Sequence, residues 1–265
     1  MAPVSFDNAK CVLVIGATSG IGRALALAIS ELPSRPTVIA AGRRQERLKE
    51  LGEKNLETLQ LDVTADLETL KKTVDNLFVK YPNLDAVILS SVGVIAGIQY
   101  SYDFRKDVDL NQVTREINVN YLAVVSLISM FIPHFLKLSA EGRPSFIIPI
   151  TSGLGLLPAP QVINYSASKA ALRSFTTSLR SQLADTKINV VEILPPLVES
   201  ELHDEQGTTE RLSKFWMPLD EYTKLTVDGL RKGDIHVAAG VVVKLLEKFE
   251  KEGLNGLFTT SSPPK

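Results

Sequence analysis

An α/β fold, a doubly wound parallel sheet with helices on both faces, is what this sequence predicts, and three observations carry it. Short β-branched runs alternate with longer helix-like segments through most of the chain. The runs are nearly continuously apolar, as strands buried on both faces should be. A glycine-rich turn joins the first run directly to a helix, in "CVLVIGATSGIGRALALAI". Strand followed by helix, repeated, implies right-handed crossovers and therefore a parallel sheet.

Taken in order, "CVLVIG" (11–16), "PTVIAAG" (36–42), "ETLQLDV" (57–63), "DAVILSS" (85–91), "SFIIPI" (145–150) and "INVVEIL" (188–194) read as the strands. Helices are expected near 20–32, 44–54, 66–80, 112–138, 164–184 and 237–252. Two stretches leave this rhythm, 92–111 and 197–235, and long connections after strands usually carry function. In an open parallel sheet, ligands bind beyond the carboxyl ends of the strands, where both stretches begin. Residues 197–235 are therefore expected to form a substrate-binding loop region. With no Pro/Gly/Ser-rich linker, repeat or low-complexity tract, residues 1–265 read as a single domain.

The composition is that of an ordinary globular chain, 45% hydrophobic and 22% charged over 265 residues. A formal net charge of −1 gives no basic field for nucleic acid. The single cysteine, Cys11, rules out an internal disulfide and fits a reducing, cytoplasmic setting; inside an apolar run it reads as a small core residue. The N-terminal segment has no apolar stretch of signal-peptide length, and "SSPPK" reads as a loose tail. The longest mostly apolar run, 121–136, falls short of a bilayer span and carries Ser126, Pro133 and His134, so a buried helix rather than a membrane segment is expected. His134, His203 and His236 show no metal-ligand spacing.

The turn "GATSGIG" places Gly16, Gly20 and Gly22 between the first strand and its helix. Glycine lets a backbone bend tightly and lets a ligand come close, and the helix N-terminus offers N–H groups and partial positive charge to a diphosphate. Gly16, Thr18, Ser19, Gly20, Ile21 and Gly22 are the turn residues expected against a dinucleotide.

"NYSASKAAL" (164–172) puts Tyr165 and Lys169 four residues apart. On a helix they share a face, and the small residues between them let something flat approach. The glycine spacing GxxxGxG together with this Tyr-Lys pair resembles the short-chain dehydrogenase/reductase family, over roughly residues 10–200. The resemblance implies a single Rossmann-type dinucleotide-binding and catalytic domain. It also implies Ser152, 13 residues before Tyr165, and Asn120, 13 residues before Pro133, as partners in a catalytic set; Asn118 fits that spacing less well.

The chemistry explains the set. Reducing a carbonyl needs a hydride on carbon and a proton on oxygen. A free phenol, with a pKa of about 10, is a poor proton shuttle near neutrality. A nearby ammonium and a positively charged nicotinamide both favour phenolate. Ser152 can donate a hydrogen bond to the substrate oxygen. By the resemblance, Lys169 also binds the nicotinamide ribose and Asn120 holds a water that links Lys169 to solvent.

Further cofactor contacts follow from the resemblance: Asp62 and Val63 near adenine, Gly93 in "SVG" where the family usually has Asn-Ala-Gly, and Pro195, Val198 and Ser200 near the nicotinamide. Pro195-Pro196 stands where the family usually has Pro-Gly, so that loop is expected to run differently. The cofactor is expected to be NADP(H). No Asp or Glu lies between Leu32 and Gln45 to hold a ribose hydroxyl pair, whereas Arg43 and Arg44 follow Gly42. Arg43 is the nearer candidate for a 2′-phosphate, and Arg44, which opens the next helix, is a second candidate contact.

The expected activity is reduction of a ketone, diketone or aldehyde. A non-catalytic dinucleotide-binding regulator, or an epimerase or dehydratase on the same fold, is the alternative. Trp216, in "LSKFWMPLDEY", either closes over an apolar substrate or anchors its loop to the core. The helices 112–138 and 164–184 correspond to the family's usual dimer surface, so a homodimer is expected. The Asp-Gly-Gly ending common in tetrameric members is absent.

Overall fold

A computed structural model describes residues 4–90, 99–201 and 209–252. Its main sheet has the strands β1 (Cys11–Ile15), β2 (Thr37–Gly42), β3 (Glu57–Gln60), β4 (Ala86–Leu89), β5 (Ser145–Pro149) and β6 (Ile188–Val190) in the order β3-β2-β1-β4-β5-β6. Every pairing in it is parallel. The helices α1 (Gly20–Ser30), α2 (Gln45–Gly52), α3 (Leu67–Lys80), α4 (Leu110–Ile117), α5 (Ala123–Ala140) and α6 (Ile163–Gln182) connect and cover these strands.

Continuously apolar strands are explained by two cores, one on each face. Along β1, Val12 and Val14 pack into one core with Leu25 and Ile29 of α1. Cys11, Leu13 and Ile15 pack into the other, with Val74 of α3, Phe131 of α5 and Leu172 of α6. Both sets are fully or almost fully buried, so neither face tolerates polar alternation.

The expected strand 188–194 is divided. Its second half, β7 (Glu192–Leu194), pairs in parallel with β8 (His236–Ala238). The chain still follows β5, because Val191 N–H donates to Ile147 O at 3.0 Å and Thr151 N–H donates to Ile193 O at 2.9 Å. The expected helix 237–252 loses its first residues to β8 and begins later, as α9 (Val241–Glu252). The region 197–235 is less of a loop than expected: it contains a short α7 (Thr209–Leu212) and a full α8 (Leu219–Lys232) that packs on α1.

The long helix is also not uniform. Between α4 and α5, residues Asn118–Leu122 form a π-helical turn, a distortion that recurs at functional sites. The whole helical stretch is 31 residues, longer than the apolar run in the sequence, and is long and apolar enough to cross a membrane by length and composition. Val124, Leu127, Ile128, Phe131 and Phe135 are fully buried in the protein core, which accounts for the inner face of that stretch as packing against the sheet.

Candidate active site

The glycine turn lies at the carboxyl end of β1, and its shape is set by close packing. Gly16 has φ +84°, and a Cβ there would stand 2.2 Å from Ser90 O, so only glycine fits between β1 and the end of β4. Ser19 stands at the N-cap of α1 without a side-chain capping bond. The first-turn N–H groups of α1 are thus left for another acceptor, which suits a dinucleotide diphosphate.

Tyr165, Lys169, Ser152 and Asn120 are drawn together from three elements. Ser152 follows β5 and caps the short 3₁₀ turn Gly153–Gly155, its Oγ accepting from Leu154 N–H at 3.1 Å. That turn rests directly on α6: a Cβ on Gly155 would meet Lys169 C and O at 3.0 Å. On α6, Lys169 Nζ lies 5.5 Å from the centre of the Tyr165 ring and donates to Ile150 O at 3.1 Å. Asn120 sits in the π-helical turn, fully buried, and donates through Nδ2 to Ser168 Oγ at 3.2 Å. Asn118 is exposed, so of the two asparagines it is Asn120 that faces the Lys169 helix.

The chain alone does not lower the phenol's pKa. Burial pushes Tyr165 up to about 12, and its hydrogen bond with Ser152 acts in the opposite direction but does not prevail. Burial pulls the Lys169 ammonium down to about 7. The expected depression of the phenol therefore rests on the nicotinamide charge, which a dinucleotide supplies, and on Ser152.

Ser152, Tyr165 and Lys169 border a cavity of about 540 Å³. Much of its lining is apolar and was not foreseen: Leu154 and Leu157 after β5, and Val241, Val242 and Leu245 from α9. Val242 seals against the catalytic loop, since a Cβ on Gly153 would stand 2.6 Å from its Cγ2. The signal was the apolar spacing of α9, which a core helix would share. Gln99, Ser101 and Gln161 add polar groups to the lining.

The segment carrying Gln99 and Ser101 is held by a buried carboxylate, again unforeseen. Glu116, fully buried, accepts from Tyr100 N–H at 3.0 Å, Tyr102 Oη at 3.3 Å and Asn164 Nδ2 at 2.6 Å. Burial raises its pKa. Its hydrogen bond to Asn164 ties this segment to the residue before Tyr165.

Pro195, Val198 and Ser200 line the same cavity. Pro195 O accepts from Gly153 N–H at 2.9 Å, and Val198 bridges in parallel to Met217. Ile21 also borders the cavity. Val63 is core, while Asp62 is exposed and its carboxylate accepts from Thr64 N–H and Oγ1. Gly93, with Ser91 and Val92, lies outside the described residues, as does His203.

One expectation changes. Trp216 is half-buried but does not border the cavity, which takes Arg211 and Leu212 from that segment. The chain turns back there, with Trp216 N–H on Leu212 O at 3.1 Å, and Met217 pairs with the 197–199 segment. Arg44, the second candidate cofactor contact, folds back over the glycine turn, its Nε donating to Thr18 Oγ1 at 3.3 Å. Arg43 is half-buried beside it at the end of β2.

A family model described as short chain dehydrogenase matches residues 10–211. An uncharacterized oxidoreductase of Bacillus subtilis, DltE, is 35% identical over 225 residues, 84% of each chain. Among solved structures, a short-chain dehydrogenase from Sphingobium yanoikuyae in complex with NADPH is similar at TM-score 0.76, with 20% identity and 97% of each chain covered. A short chain dehydrogenase/reductase from Burkholderia phymatum in complex with NAD also reaches 0.76, with 17% identity, covering 97% of this chain and 98% of that one.

Proposed function

Because the chain belongs to the short-chain dehydrogenase family and is an oxidoreductase of that family, we propose that it is an NADP(H)-dependent carbonyl reductase, cytoplasmic and homodimeric, acting on an apolar ketone, diketone or aldehyde. The observation that carries this reading is that Ser152, Tyr165 and Lys169 border one cavity whose lining is otherwise largely apolar. NADPH supplies the hydride when bound. The glycine turn and the N-terminus of α1 hold its diphosphate, and Lys169 holds its nicotinamide ribose. Ser152 donates a hydrogen bond to the carbonyl oxygen and steadies the negative charge that develops there. Tyr165 Oη delivers the proton to that oxygen, and Lys169, with Asn120 behind it, returns a proton toward the phenolate. Leu154, Leu157 and the α9 residues exclude water from the apolar side of the substrate.

Arg43 and Arg44, with no Asp or Glu in the sequence from Leu32 to Gln45, support NADP(H) over NAD(H), by at least ~10-fold if one charge-assisted contact is gained. The test is nicotinamide oxidation across a panel of ketones, diketones and aldehydes with NADPH and NADH in parallel. Tyr165→Phe should keep cofactor affinity and lose turnover by roughly 10²–10⁴-fold. Near wild-type turnover in that variant would remove Tyr165 from the role, and equal kcat/KM with both cofactors would remove the preference.

A further inference from the structure

The loop after β7 lies across the glycine turn, and a charged contact joins it to the end of β2. Ser200 Cβ stands 3.5 Å from where a Cβ on Gly20 would be. The next residue, Glu201, places Oε2 3.1 Å from Arg44 Nη1 and Oε1 3.9 Å from Arg47 Nη2. Arg44 uses Nε on Thr18 Oγ1, and its Nη2 is buried with no partner among the described residues. A guanidinium that leans over a dinucleotide turn with part of its fork unused is a receptor for a bidentate anion.

Resting on the NADP(H) reading above, we propose that Glu201 is a specificity-determining residue: its carboxylate holds Arg44 in place of the cofactor's 2′-phosphate, which must displace it. A carboxylate and a phosphate match the same guanidinium fork, and two anions crowded on one cation repel. NAD(H) carries a hydroxyl at that position and has nothing to displace. Arg47 has a second carboxylate, Glu50, at 3.9 Å on its own helix. Arg44 has Glu201 alone among the described residues. The competition therefore falls on Arg44, and the wild-type chain discriminates less for NADP(H) than its arginines allow.

The experiment measures binding rather than turnover. Calorimetric titration of the full chain with 2′-phospho-ADP-ribose and with ADP-ribose gives the ratio of the two affinities. In the wild type, a ratio favouring the phosphorylated ligand tests the NADP(H) reading by itself, and a ratio of one or less defeats that reading. Glu201→Gln keeps the shape and removes the charge, and an unchanged Tm will show that it folds. It should tighten 2′-phospho-ADP-ribose about two- to five-fold, the upper part of the range for an exposed ion pair, with ADP-ribose altered less than about 1.5-fold. In an Arg44→Ala background the same change should have no effect on the ratio. Equal tightening of both ligands would make Glu201 a general cover of the groove. Weaker binding of the phosphorylated ligand would make it a support that orients Arg44. Either result, or an unchanged ratio, overturns the proposal, whatever the wild-type ratio is.

Discussion

Lys169 is fully buried, and its environment makes a prediction that does not depend on substrate. Its folded pKa is pulled to about 7 by burial, from an ordinary value of 10.5. Below pH 7 both folded and unfolded chains hold the proton, and the folded chain bears the whole cost of an enclosed ammonium. Between about 7 and 10.5 the unfolded chain binds more protons than the folded one, so stability rises with pH there. Lys169→Met removes this contribution. The wild-type stability minus that of Lys169→Met, from urea unfolding, should climb between pH 7 and 9.5 with a slope approaching ~1.4 kcal/mol per pH unit. A flat difference would mean that Lys169 keeps its proton through a partner strong enough to offset burial. The residues that meet around Lys169 were legible because each is a polar group at a fixed spacing from another: Tyr165 from Lys169, Ser152 from Tyr165, Asn120 from Pro133. Glu116 was not, because a buried carboxylate is defined by what lies opposite it in space. The two roles open to Trp216 are not separable in the sequence, because an aromatic cluster after a polar stretch looks the same whether it closes a site or anchors a loop.

At the level of elements, the sheet's division at Val191 is accompanied by a buried charge cluster. Glu192 opens β7, fully buried, and accepts from Thr151 Oγ1 at 2.7 Å, from the Arg173 guanidinium, and from His236 Nδ1 at 2.9 Å. Burial alone would raise its carboxyl, but the His236 hydrogen bond and the Arg173 charge outweigh that and hold it below the usual range. One side chain thereby joins the residue before Ser152, the turn of α6 after Lys169, and the first residue of β8. Glu192→Ala should cost about 3–5 kcal/mol in urea unfolding, since it leaves a buried guanidinium uncompensated. Thr151→Val should cost only about 1 kcal/mol, the net worth of one hydrogen bond. Equal costs would show that the cluster does not act as a charged unit. A lone glutamate in the apolar run "INVVEIL" was the readable sign of this cluster. The helix α8 was missed for a related reason. Its buried positions are Tyr222, Thr223, Thr226, Gly229 and Leu230, mostly threonine and glycine, so the apolar period that marks a core helix is masked. Gly233, with φ +80° after Arg231 and Lys232, was a stop signal that pointed to a helix without its apolar stripe.

For the whole molecule, the inner faces of α5 and α6 are occupied by the core, which leaves their outer faces to be explained. Between Glu116 and Lys137 the sequence carries no Asp, Glu, Lys or Arg. Leu122, Ser129, Pro133 and Leu136 are exposed along α5, and Ala167, Ala170, Ser174 and Ser178 along α6. The first set is apolar or uncharged, and the second is small enough to let a neighbouring helix come near. Tyr121 and Phe175 meet edge to face at 6.4 Å and hold the two helices as one surface. An uncharged face this long is costly to leave in water, and a two-fold pairing of identical faces would cover it in both copies at once. A stable pairing of standard size buries about 800 Å² on each partner, which two adjacent helices of 18 and 20 residues can supply. Light scattering should therefore give a mass twice the 29.0 kDa of one chain. Ala170→Arg places a long charge in the middle of the α6 face and should return the mass of a single chain without lowering Tm by more than a few degrees. Val79→Arg, on an exposed apolar side chain near the end of α3, beside the Lys80 that pairs with Glu57 of the edge strand β3, should leave the mass doubled. A single-chain mass for the wild type, or a doubled mass that survives Ala170→Arg, would place the self-association elsewhere or remove it.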